Sequence, residues 1–152
     1  MKEFLQNFRS VIQKHWDEQT VSPKFLPIDS TRPLSLGQCA PTSQVLLAKL
    51  RQEFPERHFT LAIGEVRRSK EAIIPYHVWV VEIAQSPKEN KIVDVTADQS
   101  EVLDKIVYEA IRDLAGRNIY YIAYQQSRSE RFIHERASQR AAILMARLAS
   151  ND

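Results

Sequence analysis

The sequence predicts an α+β fold with an antiparallel sheet. Apolar residues recur at helical spacing near both ends of the chain, over residues 3–16 and 129–149. Between them, four segments alternate apolar with polar residues or are dense in β-branched and aromatic residues, which is typical of strands. Helices that lie apart from a run of strands are typical of the α+β class. The length of 152 residues favours one domain over 1–152.

The first third of the chain contains two predicted helices joined by a proline-containing arm. The first helix covers 3–16, and the second begins at Cys39 and should stop near Pro55. Three prolines interrupt residues 21–36, which predicts an extended, irregular arm. We expect this arm to pack along one side of a cleft, because it leads directly into Cys39 and carries apolar side chains. These are Phe25, Leu26, Ile28 and Leu34.

The four predicted strands are 58–68, 76–84, 91–97 and 118–126. A polar turn, QSPKEN, separates the second strand from the third, so these two should pair as a hairpin. Together with the helices, the predicted order is α, α, β, β, β, β, α.

The closing helix has one apolar stripe flanked by arginines. The stripe consists of Ile133, Ala137, Ala141, Leu144 and Leu148, and the flanking residues are Arg136, Arg140 and Arg147. We interpret the arginines as a solvated face of a packed helix or as a contact in a homo-oligomer. Nucleic acid is not expected as a partner, because Glu130 and Glu135 dilute the charge and no aromatic platform accompanies the arginines. His134, on the same helix, is interpreted as a surface residue. The net charge is only +2.

The composition indicates the cellular compartment and the cofactors to be expected. A single cysteine excludes an internal disulfide and fits a reducing compartment. No signal-peptide pattern opens the chain and no apolar run approaches the ~20 residues that span a bilayer, so we expect a cytoplasmic protein without membrane contact. One cysteine and four scattered histidines lack the close spacing of zinc ligands, so neither a metal nor another cofactor is expected.

Three residues form a candidate catalytic triad: Cys39, His77 and Asp94. Cys39 lies where a helix begins, and unpaired amides at a helix N-terminus favour a thiolate. His77 lies in the predicted central strand and can hold an imidazole against the sulfur. Asp94 lies on the neighbouring strand and can orient that imidazole from its far side.

Each triad member also has a purely structural interpretation. Cys39 alone could be a buried packing residue, His77 a core histidine, and Asp94 the end of a strand. Burial of an aspartate between Val93 and Val95 is nevertheless costly unless it is paired. The joint interpretation as a triad therefore explains more than the separate ones.

The order and context of these residues resemble the transglutaminase-like branch of the papain-like superfamily. There, G-x-C opens a helix, H-x-W follows on one strand and D-x-T on the next. The small bacterial YunG-like proteins are similar in more detail, with W…T, GQC-x-x-T, H-x-W and D-x-T-x-x-Q, over roughly residues 10–105. The matching residues are Trp16 and Thr20, Gly37-Gln38-Cys39 with Thr42, His77 with Trp79, and Asp94-Val95-Thr96 with Gln99.

The resemblance implies a papain-like cysteine-hydrolase fold, in which the helix that carries the nucleophile packs on an antiparallel sheet. It also implies a Cys-His-Asp site that acts on a peptide, amide or ester substrate, as a thiol hydrolase or as an acyl transferase. Position suggests that the Cys39 amide and the Gln38 side chain help to stabilise an oxyanion, and that Trp79 either walls the cleft or is a core tryptophan. The alternative is a non-catalytic binding module that keeps this fold with an inert, buried cysteine.

Overall fold

In the part of the chain that the structure describes, five antiparallel strands and four α-helices make up the fold, which confirms the α+β prediction. The computed structural model describes residues 1–127 and 135–150. The helices are α1 (Lys2–Ile12), α2 (Cys39–Glu53), α3 (Ile111–Gly116) and α4 (Glu135–Ala149), and the strands are β1 (Phe59–Arg68), β2 (Glu71–Glu82), β3 (Lys91–Asp94), β4 (Val107–Ala110) and β5 (Ile119–Ser127). The strand order in the sheet is β4-β3-β2-β1-β5, so β2, which carries His77, is central as predicted.

The predicted hairpin of β2 and β3 is present, with Val80 opposite Val93 and Glu82 opposite Lys91. Strand β4 and helix α3 were not predicted. The strand has four residues and the helix follows it without an intervening turn, so neither is long enough to show a clear period. Strand β4 pairs with β3, and Val107 lies opposite Asp94.

Helix α2 is buried between the sheet and α4. Its leucines pack on the sheet face that carries Val78 and Val80. On its other side it contacts α4, whose stripe residues Ala137, Ala141 and Leu144 are buried. The stripe that suggested an oligomer contact is therefore covered within the chain, at least over its described part. The predicted start of this helix at 129, with Glu130, Ile133 and His134, lies outside the described residues.

Helix α1 and the segment that follows it make two polar contacts near the site, one with the residues after β3 and one with the first turn of α2. The guanidinium of Arg9 is buried and pairs with Asp98 at 2.9 Å, just after β3. The indole of Trp16 donates a 3.0 Å hydrogen bond to Thr42 in the first turn of α2. The helix itself ends at Ile12, and a 3₁₀ turn continues to His15.

The arm packs beside α2 through fewer of its apolar residues than the sequence suggests. Val21 is buried, Phe25 is half-buried, and the Ser22 amide donates to the Gly37 carbonyl at 3.0 Å. The expectation that Leu26, Ile28 and Leu34 pack is wrong, since all three are exposed. No described helix is long and apolar enough to cross a membrane.

Gly37 is required where the arm meets α2. Its φ is +77°, and a Cβ there would lie 2.6 Å from Cδ2 of Phe25 and 2.8 Å from Cγ2 of Val21. We expect Gly37→Ala to lower the free energy of unfolding by about 1–3 kcal/mol, measured by urea denaturation. Gly116→Ala is the matched control, because a Cβ at Gly116 meets nothing within 4 Å. Equal stability of the two variants would contradict this assignment.

Candidate active site

Cys39 is the first residue of α2, as the sequence predicts, and its side chain is 6% exposed. The first amides of a helix have no acceptor inside the helix. No side chain caps those of α2, and Pro41 contributes no amide hydrogen at all. The amides of Cys39 and Ala40 are therefore available to a ligand at the sulfur.

The first turn of α2 packs against the part of β2 that β3 does not cover. Pairing between β2 and β3 begins at Val80, so β3 does not cover the main chain of Val78. Ser43 donates a 2.9 Å hydrogen bond to the Val78 carbonyl, and the Val78 amide interacts with the Cys39 sulfur. Since residues 39 and 43 are one helical turn apart, this arrangement sets α2 against the residue that follows His77.

His77 and Asp94 form a buried pair. Nε2 of His77 lies 2.6 Å from Oδ2 of Asp94, and neither side chain is exposed to solvent. The other ring nitrogen, Nδ1, has no hydrogen-bond partner among the described residues. The imidazole is thus held from one side and leaves Nδ1 for the thiol.

Each carboxylate oxygen of Asp94 has two hydrogen-bonding partners. Oδ1 accepts from the amide of Thr96 at 2.8 Å and from its hydroxyl at 3.0 Å. Oδ2 accepts from Tyr121 at 2.9 Å in addition to His77. Such a network stabilises a charged carboxylate in the interior.

The three groups favour a thiolate–imidazolium pair. Burial opposes ionisation of the thiol, but the interaction with the His77 ring and its positive charge lowers the pKa of Cys39. Burial also opposes protonation of the imidazole, but the charge and hydrogen bond of Asp94 raise the pKa of His77 to about 10. The pKa of Asp94 is lowered because His77 and the donors on its oxygens outweigh burial.

Trp79 does not wall the cleft and is instead the core tryptophan of the alternative interpretation. It is buried beneath the imidazole, with its ring 6.0 Å from that of His77 and nearly parallel to it. Its other neighbour is Tyr121, at 5.1 Å in an edge-on arrangement. Trp79 therefore supports the orientation of His77 from behind.

Gln38 is also placed differently from the expectation. Its side chain is buried and lines a separate cavity beneath the arm, together with Trp16 and Val21. Its Oε1 has no hydrogen-bond partner among the described residues. The side chain is not among the residues that line the cavity at Cys39, so the main-chain amides are the better oxyanion donors.

A cavity of about 320 Å³ opens in front of Cys39. One wall comes from residues 22–25 of the arm, which agrees with the expected place of the arm beside the cleft. The other comes from α4 through Arg136, Ala137 and Arg140. Both arginines therefore lie at the cavity, where Arg136 is exposed to solvent as expected and Arg140 is half-buried, whereas Arg147 contacts the segment after α1 and pairs with Asp17.

Sequence reasoning missed several residues of the site. Tyr121 reaches Asp94 only because β5 pairs with β1 beyond the linear order of the strands, and no sequence pattern shows that pairing. Ser43 contacts the Val78 carbonyl across the interface of α2 and β2, and no sequence pattern shows that contact. Gln99 had a signal in the D-x-T-x-x-Q motif, and it lines the cavity while accepting from the Gly37 amide at 3.4 Å.

Comparisons with known proteins found no relative of this chain. The chain matches no protein-family model, and no curated protein or solved structure was found to be similar to it. Within residues 1–127 and 135–150, no group of three or more histidine, cysteine or acidic side chains could hold a metal ion.

Proposed function

We propose that this protein is a cysteine hydrolase or acyl transferase that acts on an amide or ester through Cys39, His77 and Asp94. The observation that carries the proposal is the buried relay from Asp94 to His77, 2.6 Å long, beside a thiol whose pKa is lowered. A core histidine and a strand-ending aspartate have no reason to share this geometry with a helix-start cysteine. We further propose a papain-like, transglutaminase-like fold, because the order of the motifs and the packing of α2 on the sheet agree with that resemblance.

The first half of the reaction forms a thioester. The Cys39 thiolate attacks the carbonyl carbon, a C–S bond forms, and the carbonyl electron pair moves onto oxygen. The amides of Cys39 and Ala40 stabilise that oxyanion. When the intermediate collapses, the bond to the amine or alkoxide breaks, and this leaving group takes the proton from Nδ1 of His77.

The second half releases the acyl group. Neutral His77 takes a proton from water or from an acceptor amine as that nucleophile attacks the thioester carbon. Collapse breaks the C–S bond, returns the thiolate, and yields a carboxylic acid or a new amide. Asp94 keeps the ring in place and stabilises its charged form throughout.

The proposal predicts that Cys39 labels with iodoacetamide at low pH. Because the pKa of the thiol is lowered, the pH profile should inflect below the ordinary value of about 8.5. Cys39 is the only cysteine, so the adduct measured by mass spectrometry reports on this site alone. The same chain unfolded in urea provides the reference profile, and Cys39→Ser shows any labelling elsewhere.

The outcome separates the enzyme from an inert module. A native profile that inflects at or above the unfolded one would contradict the proposal and favour a non-catalytic binding module, in which the buried thiol only packs. A low inflection, together with hydrolysis of p-nitrophenyl valerate that Cys39→Ser abolishes, is the expected result.

A further inference from the structure

The cavity at Cys39 is lined by cations. Lys24 comes from the arm, and Arg136 and Arg140 come from α4. No acidic side chain lines the cavity within the described parts of the chain. This composition is unusual for a protein with a net charge of only +2, so the charge is concentrated at this place.

Arg140 is the cation most closely associated with the sulfur. Its Nε is buried and has no hydrogen-bond partner among the described residues, although buried guanidinium groups are normally paired. Its charge interacts with both Cys39 and Tyr76, so the guanidinium lies within electrostatic reach of the reacting atom. An incoming anion could supply the missing acceptor.

Lys24 provides positive charge on the facing wall. Its Nζ lies 5.0 Å from the centre of the Phe25 ring and 5.4 Å from that of Tyr76. Tyr76 thus contacts Lys24 and interacts electrostatically with Arg140, and all three residues line the cavity at Cys39.

The triad offsets only part of this charge. The thiolate and the imidazolium cancel each other, and the carboxylate of Asp94, whose charge acts on the thiol, leaves one negative charge against the three cations that line the cavity. A group in the cavity therefore meets a net positive potential in partly water-excluded surroundings, where charge interactions are stronger than in bulk water.

We propose that the cavity selects an acyl group that carries an oxyanion, a carboxylate or a phosphate, next to the carbonyl that Cys39 attacks. Guanidinium and ammonium groups bind both anions. A volume of about 320 Å³ suits one short acyl chain rather than a long lipid or a folded partner. This inference rests on the proposed function, since it assigns the substrate class of the same site.

The first test compares two alkylating agents of equal size and different charge. The rate ratio of iodoacetate to iodoacetamide at Cys39 should exceed the ratio for 2-mercaptoethanol roughly tenfold in low salt, because a cationic cleft concentrates anions. The excess should shrink as salt rises. In the same way, mono-p-nitrophenyl glutarate should be hydrolysed faster than p-nitrophenyl valerate, which has the same chain length without the charge.

Variants assign the effect to the cavity. Arg140→Met should remove most of the preference for iodoacetate, and Arg140→Lys should keep part of it. Lys24→Met, on an exposed part of the arm, is a second test if Arg140→Met does not fold. Arg112→Met is the control, because Arg112 is an exposed residue of α3 that pairs with Glu89 away from the cavity.

The readouts distinguish two failures. A low inflection with iodoacetamide, but no preference for iodoacetate, would overturn the anionic substrate and leave the catalytic proposal standing. An ordinary inflection would overturn both. A preference that Arg112→Met removes as fully as Arg140→Met would also overturn the inference, since it would then reflect overall charge.

A protection experiment identifies the anion. Glutarate or inorganic phosphate is added during labelling by iodoacetamide, and the slower reaction reports binding in the cavity. Protection by glutarate alone indicates a carboxylate, and protection by phosphate alone indicates a phosphorylated acyl group. Protection by neither, at concentrations up to solubility, would contradict the proposed oxyanion site.

Discussion

Replacement of His77 by alanine is expected to abolish thiol chemistry and to move the labelling inflection of Cys39 above that of an ordinary thiol. Burial raises the pKa of the thiol, and the interaction with the His77 ring and its charge are the main influences that lower it, ahead of the Val78 amide. Loss of the proton donor and base should reduce hydrolysis of an ester probe by about 10²–10⁴-fold. The measurements are the iodoacetamide pH profile and the initial rate with p-nitrophenyl valerate.

The same variant should also lose stability. Asp94 would stay buried without its ionic partner, which typically costs about 3–5 kcal/mol. If His77→Ala does not fold, His77→Gln keeps most of the side-chain volume above Trp79 and still lacks an imidazole. His58→Ala is the control, because His58 is an exposed histidine outside the site.

An unchanged labelling profile in folded His77→Ala or His77→Gln would end the triad interpretation. In that case, the histidine would only fill the core and the pKa of the thiol would depend on the helix start alone. Loss of stability without a shift in the profile carries the same meaning, since a structural role affects unfolding but not ionisation of a neighbour.

Local pattern was sufficient to predict α2 and the β2–β3 hairpin, and with them the three members of the site. Cys39 opens a helix, and one hairpin brings Asp94 close to His77. The approach of Cys39 to His77 depends in addition on the packing of α2 against β2. The cost of burying a charged aspartate then indicated that it needs a partner.

The surroundings of the triad depend on contacts between distant segments, which periodicity does not reveal. Tyr121 lies on β5, which pairs with β1 at the far edge of the sheet. Arg140 belongs to a helix whose apolar stripe predicts burial but not the element that covers it. For the same reason, the stripe does not indicate whether the arginines beside it face bulk solvent or line the cavity.

The buried ion pair of Arg9 and Asp98 shows the same limit. Both residues are typical surface types, and nothing in their local sequence distinguishes them from solvated charges. Packing of α1 beside the segment that follows Asp94 is what makes Arg9 a buried residue.

Replacement of Asp94 by asparagine is the second large effect, and it should appear mainly at alkaline pH. The charge and hydrogen bond of Asp94 raise the pKa of His77 to about 10, while burial opposes this. Without the charge, the imidazolium should lose its proton at lower pH. The alkaline limb of the activity profile, where the proton donor disappears, should therefore move to lower pH by one unit or more, whereas the acid limb moves less.

The rate at the optimum should fall less in Asp94→Asn than in His77→Ala, because an amide oxygen can still hold the ring. The loss of rate should still be larger than at a solvent-exposed aspartate. An asparagine has one acceptor oxygen, whereas Asp94 accepts hydrogen bonds through both of its carboxylate oxygens. The amide NH₂ must then face either the Thr96 amide or the donors on the other side. Asp94→Ala should fall between Asp94→Asn and His77→Ala in rate, because it loses orientation as well as charge.

Tyr121→Phe is the matched control for Asp94→Asn. It removes one donor from Oδ2 and leaves the carboxylate charge in place, so the alkaline limb should stay close to its original position. The pH dependence of ester hydrolysis, measured at the same ionic strength on the unmodified protein and on the four variants Asp94→Asn, Asp94→Ala, His77→Ala and Tyr121→Phe, checks this order. An alkaline limb that moves equally in Tyr121→Phe and Asp94→Asn would show that the hydrogen-bond network, and not the charge of Asp94, holds the proton on His77. A limb that moves in neither would show that Asp94 has no part in the ionisation of His77.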